Sequence, residues 1–87
     1  MLQKFGKVIK FFIFINFFRY DEALSDFDQA VSLESQNPVI YSNRGLVNRK
    51  LEKFKAAIDD YTNELKHSSQ TNLKALNNRA YCFAKLG

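Results

Sequence analysis

The sequence has no tryptophan, and only one cysteine, one proline, one histidine and three glycines in 87 residues. A lone cysteine, Cys82, excludes an internal disulfide; it fits a reducing compartment, and a cytoplasmic location is expected. One histidine, with no Cys-x2-Cys and no His-Glu-x2-His, excludes the common zinc patterns. The few glycines form no phosphate-cradling loop. No block of five like charges occurs, and a net charge of +4 is too mild to imply nucleic acid. The one strongly apolar run, Val8–Phe18, is interrupted by Lys10 and Asn16 and falls short of the ~20 residues a membrane helix needs.

What is present suits a small helical domain. The hydrophobic fraction is 46% and the charged fraction 25%, which favours a folded chain over disorder. A chain this short buries only about 60–65% of its unfolded surface and is marginal alone. No catalytic, cofactor or metal residues are assigned, and no enzyme activity is expected. His67, near a helix end where a cation is favoured, reads as a surface or joint residue. Cys82 reads as a small packed hydrophobe. Asp59-Asp60 reads as a solvated carboxylate pair.

From Tyr20 onward apolar residues recur every three or four positions, and helices are predicted. The first, DEALSDFDQAVSLES, sets Ala23, Leu24, Phe27, Ala30, Val31 and Leu33 on one stripe, with Asp21 and Glu22 favouring the dipole of its first turn. Asn37-Pro38 opens a second helix to about Leu51, since Asn caps well and Pro suits the first helical position. It carries Ile40, Tyr41, Leu46, Val47 and Leu51. A third helix spans about Phe54 to His67 and carries Phe54, Ala57, Ile58, Tyr61 and Leu65. The polar linker Ser68–Asn72 supplies caps, and a fourth helix runs from about Leu73 to Leu86 before Gly87.

The chain repeats itself. Ala23 matches Ala57, Asp26 matches Asp60, Phe27 matches Tyr61 and Gln36 matches Gln70, each 34 residues apart. Asn43 matches Asn78, Arg44 matches Arg79 and Leu51 matches Leu86, each 35 apart. Ala23-x3-Phe27, Ala57-x3-Tyr61, Tyr41-x2-Arg44-Gly45, Leu76-x2-Arg79-Ala80 and the closing Lys85-Leu86-Gly87 resemble the tetratricopeptide repeat family over about Tyr20 to Gly87. The resemblance implies an all-α, antiparallel helix-pair solenoid of about two repeats plus a truncated one. Departures are Arg44 and Arg79 where Leu is usual, Glu64 for a small residue, Glu52 for a turn Gly and Ser69 for the closing Pro; Pro38 sits slightly late. Recurrence of Arg44 and Arg79 with Asp26 and Asp60 predicts inter-helix ion pairs, against which stand solvated charges of little worth.

Residues 1–19 read differently. Leu2-Gln3-Lys4-Phe5-Gly6-Lys7 looks like a helix end and turn, which the family continues directly into Tyr20-Asp21-Glu22-Ala23-Leu24. Ten of the twelve intervening residues, Val8–Arg19, are Phe, Ile, Lys or Asn, all encodable by A/T-only codons. A Val codon begins GT and an Arg codon can supply AG, so the segment reads as a translated intron within a fragment of a longer array. The rivals are a membrane or signal segment over Val8–Phe18, without a small-residue cleavage site, and a degenerate first helix covering the array's end.

The resemblance implies a protein-interaction module, a scaffold or adaptor whose first helices line a concave groove for a peptide or partner helix. The groove candidates are Val39, Ser42, Asn43, Leu46, Arg49, Lys50, Lys74, Asn77, Asn78, Tyr81 and Lys85. Their charged members, Arg49, Lys50, Lys74 and Lys85, are all basic, whereas the outer helices carry Asp21, Glu22, Asp26, Asp28, Asp59, Asp60 and Glu64. An acidic segment or C-terminal carboxylate is the expected partner. The chaperone-tail clamp found in some members is matched at Asn43 and Lys74, but Asn78 stands where its Arg would be. The alternatives are a structural segment stacking on neighbouring repeats without a groove ligand, and a membrane-tethered protein using Val8–Phe18.

Overall fold

The computed structural model describes the backbone of residues 2–87 and the side chains of residues 18–87. It contains four helices: α1 (Leu2–Leu33), α2 (Pro38–Lys50), α3 (Phe54–His67) and α4 (Leu73–Leu86). Each packs on its neighbour in sequence, α1 on α2, α2 on α3 and α3 on α4. No strand occurs among the described residues, and the fold is all-α.

Local chemistry sets most boundaries. Asn37 Oδ1 accepts from the Val39 N–H at 2.9 Å, and Pro38 follows as the first helical residue. Asn72 Oδ1 accepts from the Ala75 N–H at 3.0 Å and opens α4. Gly87 closes it with φ 83°. The α2–α3 turn is tighter. Glu52 adopts φ 61°, a left-handed conformation that disfavours a side chain. Its N–H reaches the Arg49 carbonyl at 2.9 Å, and the Lys53 N–H reaches that of Asn48 at 2.8 Å. These are the two bonds of a Schellman cap, so Glu52 occupies a site that usually takes glycine.

Helix α1 departs from expectation. The turn anticipated near Gly6-Lys7 and the helix start anticipated at Tyr20 are absent, and the backbone is helical throughout. The segment has no proline, and one interior glycine costs a helix only about 1 kcal/mol. Asp21 and Glu22 therefore lie mid-helix, too far from its N-terminus to meet the dipole. The readings of Val8–Arg19 as translated intron, membrane or signal segment rest on side chains outside the described residues, all but Phe18 and Arg19. Among the described residues, no helix is long and apolar enough to cross a membrane.

The core centres on α3. Ala57, Ile58 and Tyr61 are buried with Cys82 of α4, and Phe54 packs at their edge. Burying a side chain such as Ile58 contributes about 1.5–3 kcal/mol. Gly45 lets α2 approach closely: a Cβ there would lie 2.9 Å from Tyr61 Cε1. Tyr41 is buried, its ring stacked on His67 with centroids 5.8 Å apart and its hydroxyl donating to the Ser35 carbonyl at 2.7 Å. His67 thus sits at a joint between helices. Leu33, expected on the apolar stripe, is 84% exposed.

Candidate functional site

Two recesses flank α2. The first is lined by Leu24 and Asp28 of α1, Arg44 and Asn48 of α2, and Ala56, Asp59 and Asp60 of α3, with Lys53 before it. Arg44 bridges three helices here. Its guanidinium lies 2.7 Å from Asp60 Oδ1 and 3.0 Å from Asp28 Oδ1. Asn48 Nδ2 donates to Asp60 Oδ2 at 2.8 Å. Asp60 is only 2% exposed, which corrects its reading as a solvated carboxylate. Burial raises the Asp60 carboxyl above its ordinary value, although Arg44 and Asn48 pull it down. Burial alone would lower Arg44, but its hydrogen bonds and ion pairs, first with Asp60 and then with Asp28, outweigh that and raise it.

The ion-pair expectation is thus met at Arg44–Asp60 and corrected elsewhere. The second acid is Asp28, and Asp26 is exposed. Helical geometry explains the exchange: residues two apart lie about 200° around a helix, so Asp28 faces α2 and Asp26 faces away. Arg79 makes no ion pair with a described residue and donates instead to Thr62 Oγ1 at 3.1 Å. Thr62 is the repeat-mate of Asp28. Glu64 is also buried rather than on an acidic outer face, with Oε2 accepting from Asn72 Nδ2 at 2.8 Å. It ties the α3–α4 linker to α3.

The second recess lies between the C-terminal half of α2 and α4. Arg49, Lys50, Glu52, Phe54, Tyr81 and Lys85 line it. Three cations face one carboxylate. The Arg49 guanidinium carbon is 5.3 Å from the Tyr81 ring centroid, and Lys85 Nζ is 5.5 Å from the same centroid. Phe54 meets Tyr81 edge-on at 6.3 Å. The Tyr81 ring, backed by Phe54, therefore holds the Arg49 and Lys85 charges in place. Lys50 Nζ reaches across to the Tyr20 ring at 5.9 Å. Arg49 Nε is buried with no hydrogen-bond partner. Behind the recess, burial raises Tyr61 and Cys82 above their ordinary values, with the Arg49 charge opposing both. A thiol that is fully buried and held protonated behaves as a packed hydrophobe.

Of the groove candidates, Arg49, Lys50, Tyr81 and Lys85 are brought together. Val39, Ser42 and Asn43 occupy the first turns of α2, and Lys74, Asn77 and Asn78 the first turns of α4, outside this recess. Leu46, mid-way along α2, is 38% exposed and also outside it. Phe54 and Glu52 were not among the candidates. Their signal lay in the Schellman turn, which folds the start of α3 back beside the end of α2. Among the described residues, no three His, Cys, Asp or Glu side chains gather closely enough to hold a metal.

No family model, curated protein or solved structure matches this chain.

Proposed function

We propose that the chain is a protein-interaction module of tetratricopeptide type. In this reading it recognises an acidic peptide segment, side-chain or C-terminal carboxylates included, through the recess between α2 and α4. The observation that carries this is the convergence of Arg49, Lys50 and Lys85 around Tyr81. An incoming carboxylate would pair with these clustered cations through charge-assisted hydrogen bonds. Charge segregation supports the same reading. Three carboxylates, Asp28, Asp59 and Asp60, outnumber Arg44 and Lys53 in the other recess, roughly 200° around α2 from Lys50 when measured at Asn48. Sequential packing of α1 to α4, together with the 34- to 35-residue repeat, supports a helix-pair solenoid whose α2 and α4 form one side.

The test is fluorescence anisotropy with a labelled peptide of Asp and Glu ending in a free carboxylate, beside a Gln-substituted control. Tyr81→Ala and the pair Lys50→Glu/Lys85→Glu alter exposed side chains and leave the core of Ala57, Tyr61 and Cys82 in place. The acidic peptide should bind the wild type, and each variant should weaken binding roughly tenfold or more. Equal binding of the Gln control, or unchanged binding by both variants, contradicts the proposal.

A further inference from the structure

The repeat makes each helix a template for another, and burial differs sharply between repeat-mates. In α3, Tyr61 is 0% exposed and Asp60 2%; in α1, Phe27 is half-buried and Asp26 exposed. In α2, Tyr41 and Asn48 are each 6% exposed; at the matching positions of α4, Leu76 is 40% exposed and Phe83 55%. Gly45 is buried and Ala80 exposed. Much of the cover of the buried members comes from the packing of α2 on α3, although Tyr61 also lies against Cys82 of α4. So α1 presents a face built like that of α3, and α4 a face built like that of α2.

The polar groups follow the same rule. Arg44 reaches back to Asp28 and forward to Asp60. Arg79 reaches back to Thr62, the mate of Asp28, and makes no ion pair with a described residue. Asp26, the mate of Asp60, makes none either. One open face carries a cation, and the other a carboxylate at the matching position, each without an ion-pair partner among the described residues.

We propose that these faces bind each other between two copies of the chain, head to tail. Helix α4 of one copy packs on α1 of the next as α2 packs on α3. Arg79 of the first copy then pairs with Asp26 of the second, and Ala80 lies against Phe27 as Gly45 lies against Tyr61. Ala80 carries the Cβ that Gly45 lacks, so the two copies sit slightly farther apart than α2 and α3. The register leaves room for the long α1. Tyr20 is the mate of Phe54, which follows the end of α2, so residues 2–19 run past the end of α4. The contact is heterologous: each copy keeps one open face of each kind, and association propagates rather than stopping at a dimer.

Sedimentation equilibrium of the full chain tests this with charge reversals at the two exposed ends. The wild type should gain mass with concentration. Asp26→Arg and Arg79→Asp should each lower the association constant roughly tenfold or more, since each sets like charges together. Circular dichroism should show helix content unchanged in both, because neither side chain belongs to the core. An equimolar mixture of the two variants should regain association, as Arg at position 26 of one then meets Asp at position 79 of the other. A wild type that stays monomeric overturns the proposal. So does association that survives both reversals, as an apolar segment acting alone would give, or a mixture that fails to regain mass.

Discussion

Arg44 and Asp60 show how much one ion pair can hold and what it costs. The pair joins α2 to α3, and Asp28 adds α1. Arg44→Met would strand a buried carboxylate, and such losses run about 3–5 kcal/mol. That is comparable with the whole stability of a small domain, about 0.05–0.15 kcal/mol per residue. Chemical denaturation should therefore show a much weakened fold at neutral pH. Replacing both partners, Arg44→Met with Asp60→Leu, should cost far less, because no charge is left unpaired. The pH dependence follows from the raised Asp60 carboxyl. Its folded value exceeds its ordinary 3.8, so its contribution is fully present below about 3.8 and is lost as pH rises through the folded value. Asp60→Asn should remove that decline with rising pH. A wild type whose stability climbs through this window relative to Asp60→Asn would contradict the sign. Sequence recurrence singled out Arg44 and Asp60 but not Asp28. Choosing between acids two residues apart requires the rotation of α1 about its axis, which no local signal fixes.

At the scale of elements, legibility tracks local chemistry. Helices α3 and α4 span the residues expected and α2 ends one residue early, because Asn37-Pro38, Asn72 and Gly87 act within a turn of themselves. Helix α1 is longer than its sequence suggests, because nothing in its own residues starts or stops it before Leu33. The cap at Glu52 gives a direct test. A left-handed residue with a side chain is strained by roughly 1–2 kcal/mol, and glycine removes the strain at some entropic cost. Glu52→Gly should raise stability by about 1 kcal/mol, or the melting temperature by about 4–8 °C. A lower melting temperature would mean that the Glu52 side chain stabilises the turn. Gly45 predicts the opposite effect. Gly45→Leu drives a side chain into the Tyr61 ring, and overpacking of this kind typically costs 1–3 kcal/mol or more. Ala80→Leu, on the open face of α4, should leave the melting temperature of the monomer nearly unchanged. Differential scanning fluorimetry compares the two.

For the whole molecule, the arrangement of charge matters more than its sum. The net charge is only +4, yet Arg49, Lys50 and Lys85 meet in one recess beside the single carboxylate of Glu52, while Asp28, Asp59 and Asp60 meet in another with Arg44 and Lys53. Helical spacing showed that α2 and α4 carry basic residues. It did not show which would converge, since Arg49 and Lys85 come together only because two separate helices lean on α3. The most direct measurement is an NMR titration of the isotopically labelled chain with an acidic peptide bearing a free C-terminal carboxylate. The proposed module predicts saturable shifts at Arg49, Lys50, Tyr81 and Lys85 that fade as salt is raised, with little change at Asp28, Arg44 and Asp60. Shifts confined to the Asp28–Arg44–Asp60 recess, or none at Tyr81 at saturating peptide, would contradict it.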